Sequence, residues 1–176
     1  MDTLTAQVDV EFIQQQYGTA SIGYLIFLPV EGASYSILHY LEDGGNYLNE
    51  FSCLYLYDSY AGEKIYNSPT VYAHEILHLF GAADLYVGSR DTFVTQPLAQ
   101  YVLNTWPDAI MYYTYNSDNG ISYDHIEKML CPLTAYRLGL VDSFPGSEQF
   151  PAATQDPPGV FSNGAGQNWT ASDEAA

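Results

Sequence analysis

Two histidines and a glutamate near the middle of the chain have the residue types and spacing needed to bind a metal ion and activate water. His74 and His78 are four residues apart, and residues four apart on a helix lie on one face, one turn from each other. Two imidazoles placed in this way can bind one Zn²⁺ through ring nitrogens. Glu75 is rotated off that face, where its carboxylate can accept a proton from a metal-bound water molecule. The segment therefore predicts a hydrolytic zinc site.

A third metal ligand is expected shortly after the histidines, because catalytic zinc takes three protein ligands and keeps one position open for water. Gly81 lets the chain turn sharply out of the helix, and this turn can bring Asp84 back beneath the metal. A carboxylate oxygen is an acceptable zinc ligand. We therefore predict the ligand set His74, His78 and Asp84. In the alternative, Asp84 hydrogen-bonds to a ligand or caps the loop.

The element that must position these side chains is a helix with clear start and stop signals. Asn67 and Ser68 supply a polar N-cap, Pro69 occupies the first helical position, and Gly81 stands where helices commonly end. The residues around the motif are largely apolar, so it does not form a good solvated face. Burying two histidines and a glutamate unpaired is costly, and a metal ion supplies a partner. This setting argues against the alternative, a chance occurrence of the motif on an ordinary helix.

Before this helix the sequence predicts one further helix and three strands. Leu4, Val8 and Phe12 are spaced four apart, which favours a helix over residues 4–16. Three runs rich in apolar and aromatic residues favour strands, and a turn-forming run at 43–46 separates the last two. The three predicted strands are Ile22–Val30, Ser34–Leu41 and Phe51–Tyr57.

After the histidine-bearing helix the pattern is less regular. We predict a helix at Tyr123–Met129 and another that begins at Pro132. A chain of 176 residues suits one compact domain. From residue 143 the sequence is rich in Pro, Gly, Ser, Asn and Ala, which is typical of linkers. We therefore expect a folded domain over residues 1–142 and a weakly structured tail or linker over residues 143–176.

Composition excludes several classes of partner. The chain has 4 Lys+Arg and 21 Asp+Glu, a formal net charge of -17, and such a surface repels nucleic acid and anionic membranes. No run approaches the roughly eighteen apolar residues that a membrane span requires.

Cys53 and Cys131 could pair across the fold. The chain contains no Cys-x-x-Cys, so neither a redox motif nor a thiolate zinc site is indicated. The first residues lack the basic and apolar regions of a secretory signal.

The segment from His74 to Asp84 reads HExxHxxGxxD, and Asp108–Tyr113 downstream supplies a turn that contains Met111. This combination resembles the metzincin zinc metallopeptidases. An aspartate as third ligand, where most metzincins have histidine, is similar to the snapalysin-type small bacterial neutral proteases. The resemblance implies an α+β, zincin-like fold with a twisted mixed sheet, an active-site helix and a mainly irregular C-terminal part containing the Met-turn. It assigns Met111 to an apolar floor under the metal and gives Tyr113 a place where it can stabilise the transition state.

The resemblance also implies where a substrate binds. In metzincins the edge strand of the sheet binds the substrate backbone in extended form, and Ser34–Leu41 is the candidate for that strand. The specificity pocket of the family lies just beyond the Met-turn, here toward Thr114–Asp124. Metzincins usually have one more strand and helix at the start, so residues 1–142 are expected to lack an N-terminal strand. Such peptidases are commonly secreted or attached to the cell surface.

We therefore expect a zinc-dependent endopeptidase that cleaves peptide or protein substrates with Glu75 as the base. One alternative is a non-catalytic zinc-binding surface or interaction domain that retains the fold, and another is a zinc hydrolase acting on a non-peptide amide. Glu75 argues against the first alternative, because a structural zinc site has no use for a free carboxylate. A gluzincin-type site would instead take Glu127 from a downstream helix, but Gly81 and Asp84 fit the metzincin arrangement better.

Overall fold

The computed structural model describes residues 6–18, 22–37, 50–60, 62–89, 91–115, 121–154, 161–162 and 168–169. Helix α1 (Val10–Tyr17) precedes four strands, β1 (Tyr24–Glu31), β2 (Tyr35–Ile37), β3 (Phe51–Tyr60) and β4 (Glu63–Tyr66). Helices α2 (Pro69–Leu79), α3 (Gln96–Thr105) and α4 (Pro132–Arg137) follow. Two 3-10 turns (Ser147–Gln149 and Pro151–Thr154) and a short pair of strands, β5 (Phe161–Ser162) and β6 (Asn168–Trp169), come last. The predicted α+β class is confirmed at this level.

The four-stranded sheet is built around β3. β1 pairs with β3 in parallel, with Tyr24 opposite Phe51. β2 pairs antiparallel with the first part of β3, and β4 pairs antiparallel with its last part. The ladder between β1 and β3 is irregular between Leu28 and Glu31, where Pro29 has no N–H to donate. The sheet is therefore mixed, as predicted, and β2 lies at one edge of the sheet that the described strands form.

The first helix begins later in the chain than the sequence pattern predicted. Helix α1 begins at Val10 because the Asp9 side chain accepts a hydrogen bond of 3.0 Å from the Phe12 N–H and caps the first turn. Phe12 is 58% exposed, so the predicted apolar face is not buried in the described part of the chain. Of the predicted run Ser34–Leu41, the described part contains strand β2 at Tyr35–Ile37. Residue 4, residues 38–41 and the predicted turn at 43–46 lie outside the described residues.

The hydrophobic core lies after α2 and is built mainly from α3, α4 and the loops between them. Helix α3 begins at the Thr95 N-cap, whose hydroxyl accepts from the Leu98 N–H, and it buries one face. The buried residues of α3 pack together with residues of the loop after α2 and with residues 109–111. The core consists of Ala82, Ala83, Leu85, Phe93, Leu98, Val102, Ala109, Ile110, Met111, Cys131, Leu133, Tyr136, Leu138, Phe144 and Ala153.

One prediction about the C-terminal half is wrong. No helix covers residues 123–129, because the Met129 N–H donates to the Asp108 carbonyl and the Met129 carbonyl accepts from the Ile110 N–H. These bonds hold the segment in an extended bridge. Residues 144–154 belong to the stretch predicted to be a tail or linker, and two of them, Phe144 and Ala153, are buried in the core. The packed region therefore continues beyond residue 142 to at least residue 154.

Both cysteines are buried. Cys53 in β3 and Cys131 at the N-cap of α4 are free thiols in this structure. Among the helices of the described residues, none is both long enough and apolar enough to cross a membrane.

Candidate metal centre

Helix α2 begins and ends where the sequence predicted. Pro69 opens the helix after the extended Ser68, whose carbonyl accepts from the Val71 N–H, although the serine hydroxyl makes no cap bond. At the C-terminal end the Ala82 N–H donates to the Leu77 carbonyl, and the Gly81 N–H donates to that of His78. Gly81 has φ of +87°, the left-handed conformation that this type of helix end requires. The loop that carries Asp84 therefore leaves α2 in a fixed direction.

The structure brings His74, His78 and Asp84 together, as the ligand prediction requires. The two histidine Nε2 atoms lie 3.2 Å apart. The Oδ1 atom of Asp84 lies 3.2 Å from Nε2 of His74 and 3.4 Å from Nε2 of His78. These three atoms form a nearly equilateral triangle. Among the described His, Cys, Asp and Glu residues, these three form the group that could hold a metal ion.

The size of this triangle fits one small metal ion. Three ligand atoms at about 2.0–2.1 Å from a tetrahedral metal lie about 3.3–3.4 Å from one another. The observed separations are 3.2, 3.2 and 3.4 Å. The three residues therefore fit a Zn²⁺-sized ion without rearrangement. They could hold a metal ion at a point equally distant from the three atoms.

Hydrogen bonding on the far side of each ring determines which nitrogen faces the triangle. The Nδ1 atom of His74 lies 2.9 Å from the Ile110 carbonyl, and that of His78 lies 2.7 Å from the Ala82 carbonyl. Since a carbonyl only accepts, each Nδ1 carries the proton and donates it. The neutral rings then direct two Nε2 lone pairs at each other and at a carboxylate oxygen. Such a group of acceptors needs a cation, and carbonyls behind metal-bound histidines are a common arrangement.

Asp84 is oriented by a residue that the sequence analysis missed. The Tyr86 hydroxyl donates to Oδ2 of Asp84 at 2.8 Å, which turns Oδ1 toward the two histidines. Oδ1 is buried and, among the described residues, no hydrogen bond of good geometry reaches it. A buried carboxylate oxygen left in this way is costly without a cation. The spacing of two residues between Asp84 and Tyr86 was visible in the sequence, but 17 tyrosines made it uninformative.

The electrostatics of the site also favour positive charge at its centre. Burial lowers the pKa of His78, but the adjacent Asp84 carboxylate outweighs burial, so the pKa lies above its usual value. Burial raises the pKa of Asp84, yet the two histidine rings outweigh it and hold the pKa well below its usual range. Asp91 is a further carboxyl in this neighbourhood, and its pKa is raised by burial and by the charge of Asp84. A site whose carboxylate favours positive charge on the neighbouring ring is suited to a metal cation.

Glu75 is held beside the triangle but is not part of it. Its side chain is buried, and the Ser36 hydroxyl lies 3.0 Å from Oε2 and 2.6 Å from the Glu75 carbonyl oxygen. The Ser52 hydroxyl lies 2.7 Å from that of Ser36. Ser36 belongs to the edge strand β2, so a hydroxyl from the sheet fixes the carboxylate carried by α2. These two serines were also missed by the sequence analysis, because they come from different strands.

The predicted Met-turn is a turn, and it is tied to the triangle by its backbone. The Tyr112 and Tyr113 N–H groups both donate to the Ala109 carbonyl. The Ile110 carbonyl faces His74, while the Met111 carbonyl accepts from the Leu85 N–H at 2.8 Å, next to Asp84. Met111 is fully buried. The turn therefore fixes the ring of His74 and the loop that carries Asp84.

A cavity of about 460 Å³ opens beside this centre. His74, Glu75 and the predicted catalytic residue Tyr113 all line it, and Tyr113 is 58% exposed. Thr114 and Tyr115, from the predicted specificity region, line the same cavity. Burial, together with the charge of Asp58, raises the pKa of Tyr115 to about 12, so its hydroxyl stays protonated.

The remaining sequence candidates lie away from the triangle. Glu127 is not on a helix and is not a member of the metal-ligand group, and its N–H donates to the Thr70 hydroxyl. His125 contacts the Ser122 hydroxyl at 3.1 Å. His39 lies outside the described residues. The described chain therefore gives no support to a site that uses Glu127 as third ligand.

Comparison of the chain with protein-family models, with curated proteins and with solved structures finds no match.

Zinc is expected to raise the melting temperature of the metal-free protein. An ion that binds only the folded state stabilises it by about 2.7 kcal/mol at a hundred times its Kd. For a domain of this size that corresponds to a shift of about 5–10 °C. Differential scanning fluorimetry with and without Zn²⁺ measures the shift, and excess chelator should reverse it. An unchanged melting temperature at saturating zinc would show that the triangle binds no metal.

Proposed function

We propose that this protein is a zinc-dependent endopeptidase of the metzincin type. The observation that carries the proposal is the triangle of His74, His78 and Asp84 with Glu75 beside it, where His74 and Glu75 line one cavity. When bound there, zinc supplies Lewis-acid polarisation of a substrate carbonyl and lowers the pKa of a water molecule at its open position. Glu75 and Tyr113 are the catalytic residues of this proposal.

The number of ligands supports a catalytic role over a structural one. Structural zinc sites are closed by four protein ligands, whereas catalytic sites keep one position open. Among the described residues the group that can hold the metal has three members. The cavity beside His74 leaves room for water and for substrate. A non-catalytic zinc-binding domain is therefore the weaker alternative.

Glu75 is placed to move protons during hydrolysis. Its carboxylate lies next to the metal ligands, faces the cavity and is buried. In the proposed reaction it accepts a proton from the attacking water and later gives it to the leaving amine. The Ser36 hydroxyl, 3.0 Å from Oε2, keeps the carboxylate in one orientation. Tyr113, which lines the same cavity, can donate a hydrogen bond from its hydroxyl to the developing negative charge on the substrate.

The sheet supports the same proposal. β2 is an antiparallel edge strand next to α2, and an extended peptide can add to such an edge through backbone hydrogen bonds. Ala33 and Ser34, just before β2, line the cavity that contains Glu75. A substrate bound along β2 would therefore pass the metal centre.

The proposal is tested by digestion of a peptide mixture. Zinc-loaded protein is incubated with a diverse peptide library, and the products are identified by mass spectrometry. Cleavage should stop when the zinc is chelated and return when zinc is restored. Products that persist unchanged after chelation, or no products from folded and zinc-loaded protein, would count against a zinc endopeptidase. Release of ammonia from side-chain amides without backbone cleavage would favour the non-peptide amide alternative.

Removal of the Ser36 hydroxyl is expected to slow turnover without affecting metal binding. Ser36→Ala leaves the Glu75 carboxylate without its partner at 3.0 Å, and a misplaced base costs about tenfold in kcat. Ser36→Thr, which restores a hydroxyl, should recover most of the rate. Ser59→Ala on the exposed part of β3 is the matched control. Equal kcat for wild type and Ser36→Ala, or a parallel loss of zinc affinity, would contradict a positioning role.

A further inference from the structure

We propose that the cavity beside the metal centre takes a lysine or arginine side chain of the peptide substrate, and that Asp58 is the residue that selects it. This inference rests on the proposed endopeptidase function and adds its specificity. Asp58 on β3 lines the same cavity as His74 and Glu75. A substrate side chain that enters the cavity from a peptide at the metal centre therefore meets a second carboxylate.

The charge of the cavity favours a cation. Asp58 and Glu75 are acidic residues in its lining, and the described lining contains no lysine or arginine. The lysines and arginines elsewhere in the described chain contact other side chains. Lys64 and Arg137 lie over aromatic rings, and Lys128 pairs with a carboxylate. A neutral apolar side chain in this cavity would desolvate Asp58 without compensation, which is unfavourable. A basic side chain provides that compensation.

The Asp58 carboxylate is held in place and keeps capacity for a ligand. Its Oδ1 atom accepts the Ser59 N–H at 2.7 Å, and its Oδ2 atom accepts the Tyr115 hydroxyl at 3.3 Å. A carboxylate has about four lone-pair positions, so each oxygen can accept one more hydrogen bond. Tyr115 also lies 3.2 Å from Oδ1 of the buried Asn67, which fixes the tyrosine ring against β3 and β4. A fixed carboxylate can bind a guanidinium or ammonium group with little loss of side-chain freedom.

The walls of the cavity suit the rest of such a side chain. Tyr86, Tyr112, Tyr113 and Tyr115 line it, and aromatic faces attract cations while covering the apolar stem of lysine or arginine. A volume of about 460 Å³ admits a long side chain. Tyrosines alone would equally accept an apolar side chain. Asp58 in the same lining is the observation that favours a basic one.

The overall charge of the protein must be separated from this local effect. A formal net charge of -17 attracts any cationic peptide from a distance, whichever residue carries the positive charge. The local proposal instead predicts that one position relative to the scissile bond matters. Peptides of identical composition that differ only in where a single arginine stands have the same net charge, so a difference between them reports the cavity.

The experiment has a cleavage part and a binding part. In the first, the zinc-loaded protein digests a library, and lysine or arginine should be enriched at one fixed position beside the cut. In the second, the zinc-loaded Glu75→Gln variant binds pairs of peptides from a set in which arginine, or its neutral analogue citrulline, occupies each position in turn. We expect about tenfold tighter binding of the arginine peptide, since a hydrogen bond to a charged group has that value. Fluorescence anisotropy gives both Kd values.

Substitution of Asp58 assigns the preference. In the Glu75→Gln background, Asp58→Asn should reduce the tenfold ratio to below twofold, while Asp142→Asn, which removes an exposed charge elsewhere, should leave it unchanged. Cleavage without a basic preference, or an unchanged ratio in Asp58→Asn, overturns this inference and leaves the peptidase proposal standing. Absence of cleavage by wild type together with an Asp58-dependent ratio overturns the peptidase proposal and supports a cavity that binds basic side chains.

Discussion

Replacement of Glu75 by glutamine is expected to slow peptide hydrolysis by about 10²–10⁴-fold, the usual contribution of a general acid–base residue. Glutamine keeps the size of the side chain and an oxygen that can accept from the Ser36 hydroxyl, which lies 3.0 Å from Oε2 of Glu75. It cannot accept a proton from water. The rate is measured with a fluorogenic peptide derived from a cleaved sequence, and bound zinc is measured by mass spectrometry of the same sample.

The zinc content is the informative control in this comparison. Glu75 is not one of the three residues of the metal-ligand group, so the variant should bind as much zinc as wild type. Glu63→Gln, on the exposed face of β4, is the matched substitution and should retain full activity. If Glu75→Gln turned over peptides at the wild-type rate with zinc bound, the assignment of the base would be wrong. If it lost zinc, Glu75 would belong among the ligands.

Replacement of His78 by alanine is expected to lower zinc affinity by more than about 100-fold and to abolish turnover. Loss of a residue that merely supports a ligand already costs 10–100-fold in metal affinity, and His78 is placed as a direct ligand. Its Nε2 atom lies 3.2 Å from that of His74 and 3.4 Å from Oδ1 of Asp84. The two residues that remain would hold the ion with fewer bonds. Competition with a chromogenic zinc indicator gives the affinity.

A second histidine provides the control for this substitution. His125→Ala removes an imidazole that contacts Ser122 and is not a member of the metal-ligand group. Its zinc affinity and activity should equal those of wild type. Circular dichroism should show that both variants are folded. Wild-type zinc affinity in folded His78→Ala would mean that the metal binds elsewhere, and the triangle would then have no catalytic role.

The cluster of His74, His78 and Asp84 could be predicted because its residues are close together in the sequence. The spacing from His74 to His78 fixes one face of α2, and Gly81 fixes the turn that returns Asp84 to that face. The turn around Met111 was placed by resemblance, and its backbone does contact the ligand segments. Each of these features depends on fewer than forty residues of chain. Regular helix geometry and a glycine of positive φ were sufficient to define the positions of His74, His78 and Asp84.

What could not be predicted depends on contacts between distant segments. Ser36 reaches Glu75 across 39 residues, and Asp58 joins the cavity through the pairing of strands. The interval 123–129 has helix-forming residues, yet bonds between Met129 and the turn at 108–110 hold it extended. The composition of residues 143–154 is typical of a linker, yet the aromatic ring of Phe144 packs in the core. Tertiary packing decided each of these cases against the local pattern.

One titration tests the central claim, a single catalytic zinc site, most directly. Metal-free protein receives Zn²⁺ in sub-stoichiometric steps, and the rate of peptide cleavage is measured after each addition. We predict no cleavage at the start, a linear increase with added zinc, and a plateau at one zinc per chain. Cleavage before any zinc is added, or none at one equivalent in a protein shown to be folded and zinc-bound, would contradict the account.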